Sequence, residues 1–107
     1  MKNFAQLFKK YRLRAEFGTY SEFATKLAEN GYYYDESIFS HWQKGKRIPT
    51  NRHLLLTIIA VFIERNAILS NKEANEFLAS TGLGYLTTEE VKKLFEVIAP
   101  KYADKKG

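Results

Sequence analysis

The segment Phe39-Ser40-His41-Trp42-Gln43-Lys44-Gly45-Lys46-Arg47-Ile48-Pro49 decides how the rest of the chain is arranged. Phe39 and Trp42 lie three apart and share one face of a helix, while Glu36, Ser37, Ser40, His41 and Lys44 point elsewhere. Gly45 is an end signal, because glycine takes left-handed backbone angles without steric cost. Lys46 to Pro49 then form a short basic connector, and the residue before Pro49 is pushed away from helical angles. The segment predicts a helix with a core face and a polar face, followed by a cationic loop.

Upstream, Asp35 is a good amino-terminal cap, so this helix spans Asp35 to about Lys44. Tyr32, Tyr33 and Tyr34 lead into it. They can stack on nucleobases, as the aromatics of single-strand binders do, but an extended turn packed on the core accounts for them more simply. A preceding helix begins at Thr19-Tyr20-Ser21-Glu22, where the Thr hydroxyl and the Glu carboxylate reciprocally satisfy free amides. It turns Phe23, Ala24, Leu27 and Ala28 inward and stops at Asn30-Gly31. The first helix runs from Asn3 to about Glu16 with Phe4, Leu7, Phe8 and Tyr11 at helical spacing, and Gly18 is expected to break it.

Downstream, a fourth helix from Thr50 to about Asn66 carries the run Leu54 to Ile63, apolar almost all round as a central core helix is. Ser70-Asn71-Lys72-Glu73 and Thr87-Thr88-Glu89-Glu90 repeat the capping pattern, and Leu86 is placed to staple onto Val91. They start a fifth helix, presenting Ala74, Phe77 and Leu78 and ending near Gly82, and a sixth, presenting Val91, Leu94, Phe95 and Ile98 and ending at Pro100. The tail 101–107 is charged and expected to fray. The fold class is therefore all-α: a compact bundle of five to six helices, one domain over residues 1–107, with a core unit 1–66 and two additional helices within 67–100.

A chain of 107 residues with 45% hydrophobic and 27% charged residues can bury one core. Without cysteine, disulfides and Cys-based metal sites are excluded. No signal-peptide pattern opens the chain, and the run Leu54 to Ile63 is about half of what a bilayer span requires. A cytoplasmic, non-membrane protein is expected, with no cofactor. Two histidines without a carboxylate pair, phosphate loop or nucleophile elbow give no plausible catalytic set, so the chain is not expected to be an enzyme. The net charge of +5 is uneven. Residues 1–53 hold ten cations against five anions, and residues 54–107 hold seven of each. A polyanion partner for the first half is expected, although many basic domains bind nothing charged.

Two short helices, a Gly-containing turn and a basic loop are also the layout of a DNA-binding helix-turn-helix. The chain resembles the Xre or phage-repressor (Cro-like) family: Thr19 to Ala24 is similar to its "T-Q-x-x-L-A" pattern, and Phe39 to Pro49 to its "I-S-x-W-E-x-G-x-R-x-P" pattern. Glu73 to Leu78, Gly82 and Leu86 to Glu90 are similar to the tail of some members. There are three departures. The turn from Gly31 to Asp35 is about two residues longer than usual. Gln43 replaces a common Glu, so the family's ion pair with the first helix is reduced to at most an Arg12–Gln43 hydrogen bond. Tyr20 replaces a Gln.

The resemblance implies sequence-specific binding of double-stranded DNA by a repressor-type transcriptional regulator. It places Glu36, Ser37, Ser40 and His41 at the base edges, where Ser and His serve donors or acceptors and Glu accepts from the cytosine amino group. Tyr20, Lys44, Lys46, Arg47 and Arg52 are assigned to phosphates. Arg52 carries weight because a cation in the first turn of a helix opposes the dipole unless an anion is near. Each assignment has a plainer counterpart: a carboxylate favoured by the helix dipole at Glu36, a small residue at Ser37, a surface residue at His41, and a solvated rim for the cations. Paired half-sites call for a homodimer, for which the last two helices are available. The alternative is an antitoxin-like module whose carboxy-terminal half, with Phe77, Tyr85, Phe95 and Tyr102, clamps a protein partner.

Overall fold

The computed structural model describes residues 2–97. Among them the fold is all-α, a compact bundle of six helices without strands. They are α1 (Phe4–Arg14), α2 (Tyr20–Glu29), α3 (Glu36–Gln43), α4 (Arg52–Glu64), α5 (Asn71–Ala79) and α6 (Thr88–Val91), which continues into a π-helical segment, Lys92–Val97. The expected positions Ile98, Pro100 and 101–107 lie outside the described residues.

The helix starts follow local side-chain chemistry. Thr19 accepts from the Glu22 amide at 3.1 Å while Glu22 Oε1 accepts from the Thr19 amide at 3.1 Å. Thr87 and Glu90 repeat that exchange, and Asn3 with Gln6 forms a further one that the sequence reading did not single out. At α5 only half of the expected box forms. Ser70 accepts from Glu73, whereas the Glu73 carboxylate accepts from the Leu69 amide at 2.8 Å and pairs with Arg14. Helix α4 starts at Arg52, two residues after the expected Thr50, because Asn51 caps it by accepting from the Leu54 amide through Oδ1.

Four helices end alike. A residue with positive φ (Glu16, Gly31, Gly45 and Asn66) precedes an amide that bonds back to the last turn: Phe17 to Arg12, Tyr32 to Leu27, Lys46 to His41 and Ala67 to Phe62. Gly18 therefore does not end α1. The chain has already turned at Glu16, a non-glycine residue at φ 67°.

The buried hydrophobic residues form one cluster drawn from α1 to α5 with Leu94 of the π-helical segment. Phe23 is near its centre, with ring centroids 5.4 Å from Phe8, 5.5 Å from Phe17, 5.0 Å from Phe39 and 5.9 Å from Phe62. Seven residues of α4 are buried, as expected of a central helix. Trp42, Phe39, Leu27 and Ile59 are buried together in the cluster, while Leu56 is only half-buried. No helix among the described residues is long and apolar enough to cross a membrane.

Candidate nucleic-acid interface

Helix α3 packs against α1 and α2 through Phe39 and Trp42. Trp42 lies edge-on to Phe4, Phe8 and Phe39, with centroids 6.1, 5.6 and 5.1 Å away. Gln43 anchors the same side by donating from Nε2 to the Ala5 carbonyl at 2.9 Å. At 3.6 residues per turn, Glu36, Ser37, Ser40, His41 and Lys44 then share an arc of about 140° on the opposite side. Glu36, Ser37 and His41 are exposed and Ser40 is half-buried.

Even the hydrogen bond that Arg12 and Gln43 could at most have made does not form. Arg12 is buried and donates from Nη1 to the Phe17 carbonyl at 2.8 Å, and its guanidinium stacks 4.8 Å from the Tyr20 ring centroid. The fold turns the Arg12 guanidinium toward that carbonyl and the aromatic face, and among the described residues Arg12 Nε and Gln43 Oε1 are both buried without a hydrogen-bond partner. Tyr20, the first residue of α2, is half-buried under Arg12. The four base-edge candidates thus share one helix face, whereas Tyr20 belongs to α2 and is held by α1.

Lys44, Lys46 and Arg47 follow α3 directly and are exposed, with Pro49 buried behind them. The chain has five arginines. Arg12 is bound as above. Arg14 donates to the Ala67 carbonyl and pairs with Glu73; Arg65 donates to the Ala15 carbonyl and lies 4.2 Å over the Phe17 ring. Arg52 makes a fork with Glu90, 3.0 and 2.8 Å, and donates to the carbonyls of Leu83 and Tyr85 at 2.8 and 2.9 Å. Among the described residues, Arg47 alone of the five has no intramolecular partner.

The anion that a cation in the first turn of α4 calls for is Glu90, so Arg52 leaves the phosphate set. Glu90 is held down to about 2, first by its hydrogen bonds from Arg52 and also by the Thr87 amide and hydroxyl, against the opposing effect of burial. Sequence reasoning saw Glu90 only as half of a capping box. Its second role links positions 38 apart and carries no local signal.

The tyrosine turn packs on the core in part. Tyr32 and Tyr34 stack at 6.5 Å and 4° between planes, and Tyr34 meets Phe39 edge-on at 6.4 Å. Tyr33 is 81% exposed. Of the aromatics considered for a protein partner, Phe77 is fully buried in the core and unavailable, Phe95 is half-buried, Tyr85 is exposed, and Tyr102 lies outside the described residues.

No family model, no curated protein and no solved structure matches the chain.

Proposed function

We propose that the protein binds double-stranded DNA sequence-specifically as a repressor-type, helix-turn-helix transcriptional regulator in the cytoplasm. In this reading α3 enters the major groove and α2 braces it across the backbone. The observation that carries the reading is the unpartnered state of Arg47, Lys46 and Lys44 beside a polar helix face, when every other arginine is bound within the protein. A guanidinium without an internal partner at the end of a groove-sized helix is available to a phosphate. The first half of the chain holds the whole net positive charge, which suits a polyanion.

Glu36, Ser37, Ser40 and His41 read base edges, while Lys44, Lys46, Arg47 and the Tyr20 hydroxyl hold the backbone. Two copies, joined through the carboxy-terminal helices, would span paired half-sites. Selection of bound sequences from random duplexes tests this reading. Enrichment of a palindromic consensus supports both the activity and the pairing; recovery of no preferred sequence sinks it and moves the protein-interaction alternative ahead.

A further inference from the structure

The three consecutive tyrosines do different work. Tyr32 and Tyr34 face the same way, stacked on each other, with Tyr34 also against Phe39 and Trp42 and the Tyr32 hydroxyl 3.5 Å from His53 Nδ1. Side chains alternate along extended backbone, so pinning the outer two inward drives the middle one outward. Tyr33 is accordingly 81% exposed, and neither its ring nor its hydroxyl has a partner. The residues on either side of it are held, Tyr32 by its amide to the Leu27 carbonyl and Tyr34 by its ring contacts, and a tyrosine has only two side-chain torsions to fix on binding. Tyr85 is also exposed, but it belongs to the loop whose carbonyls bind Arg52 and lines a different groove, with Asn71, Asn75 and Ala79 of α5.

Tyr33 stands two residues before the Asp35 cap of α3, at the amino end that a recognition helix turns toward the bases. An open groove of about 500 Å³ joins it to that end, with Ser21, Ala24, Thr25 and Ala28 of α2 on one wall and Tyr33 and Glu36 on the other. The α2 wall is made of small side chains, which allow close approach. The charges beside Tyr33 are those of Asp35 and Glu36, so a phosphate is disfavoured there. An uncharged contact is left for the ring, and the apolar feature of the major groove is the thymine 5-methyl group.

Resting on the proposed DNA-binding reading, we infer that Tyr33 is a specificity-determining residue that packs its ring on the 5-methyl of a thymine next to the base read by Glu36.

The test uses the preferred duplex from the selection, with each thymine replaced in turn by deoxyuridine, which removes only the methyl. The full-length chain should lose about threefold to tenfold in affinity at one thymine per half-site, the effect of uncovering one methyl in a packed contact. Tyr33→Ala should bind the parent duplex more weakly by a similar factor and be indifferent to that replacement, while Tyr33→Phe should remain sensitive. Circular dichroism of both variants should match the parent, since the side chain is exposed. If Tyr33→Ala keeps the parent's full thymine sensitivity, or weakens every duplex alike, the inference is overturned. Should Ser37 and His41 variants still change base preference in that case, the DNA-reading function stands and only the role of Tyr33 falls. If the chain selects no duplex at all, both fall.

Discussion

Arg52 in the first turn of α4 and Glu90 in the first turn of α6 are joined by a two-pronged hydrogen bond, Nε to Oε2 at 3.0 Å and Nη2 to Oε1 at 2.8 Å. Two of the three remaining donors of Arg52 bind the Leu83 and Tyr85 carbonyls. One side chain thereby fastens the 83–90 segment to the helix that follows the basic connector. Flat, paired geometry of this kind is what arginine supplies and lysine does not.

This pair makes stability depend on acid in a defined window. The carboxyl of Glu90 is lowered from 4.5 to about 2 in the folded protein, so its contribution is complete above about 4.5 and disappears as pH falls toward 2. Both partners keep contact with water, which limits the contribution to about 1 kcal/mol. Glu90→Gln should therefore be less stable than the parent at pH 7 by about that amount, with the gap closing as pH falls through the window. Urea unfolding of both proteins at several pH values measures it. A gap that stays constant down to pH 2 would show that ionisation of Glu90 is not the cause.

Trp42 should be the costliest single truncation on α3, since it is in ring contact with Phe4, Phe8, Tyr34 and Phe39. Trp42→Ala leaves a cavity between α1 and α3 and should lower stability by about 3 to 5 kcal/mol. Thermal unfolding of the variant checks this. A melting curve superimposable on the parent's would contradict the packing of α3.

Much of this architecture is legible in the sequence because the deciding signals are local. Thr19 with Glu22 and Thr87 with Glu90 start helices from within one turn, and Gly31 and Gly45 end them by the backbone angles they adopt. The end of α1 is not legible that way, because Glu16 takes the left-handed position in place of glycine. The passage of α6 into a π-helical segment leaves no mark in the apolar spacing of Val91, Leu94 and Phe95 either. At the candidate site, the polar face of α3 follows from the spacing of Phe39 and Trp42. The partners of Arg12, Gln43 and Arg52 do not, since each depends on which carbonyl or carboxylate the tertiary fold brings alongside.

The contrast between bound and unbound arginines sets up a salt experiment. In the proposed complex Arg47 and Lys46 each release about one counterion from DNA, so Arg47→Ala or Lys46→Ala should flatten the log-log dependence of affinity on salt by roughly one unit. Arg52→Ala should leave that slope unchanged, because its guanidinium is held by Glu90 and two carbonyls. Titrations between low and moderate salt compare the three. Equal slopes for Arg47→Ala and the parent would remove Arg47 from the phosphate contacts, and a flattened slope for Arg52→Ala would mean that the Glu90 fork opens on binding.

Reading must finally be separated from sticking. Ser37 and His41 are exposed on the same face of α3, opposite the buried Phe39 and Trp42. A helix in the major groove brings such side chains to base edges, whereas Lys46, beyond Gly45, remains on the backbone. Ser37→Ala and His41→Ala should therefore relax preference at one or two positions per half-site, by about 1 to 3 kcal/mol per altered contact. Lys46→Ala should weaken all sequences by a common factor. Binding curves for each variant against the preferred duplex and its single-base changes give the comparison directly. Neither Ser37 nor His41 has an internal side-chain partner, so their truncation leaves the fold intact and the profile reports on the interface alone. If Ser37→Ala, His41→Ala and Lys46→Ala all reduce affinity uniformly and leave the preference profile unchanged, α3 is not the reading element. The basic connector would then serve nonspecific attachment, and the search for function would turn to a protein partner.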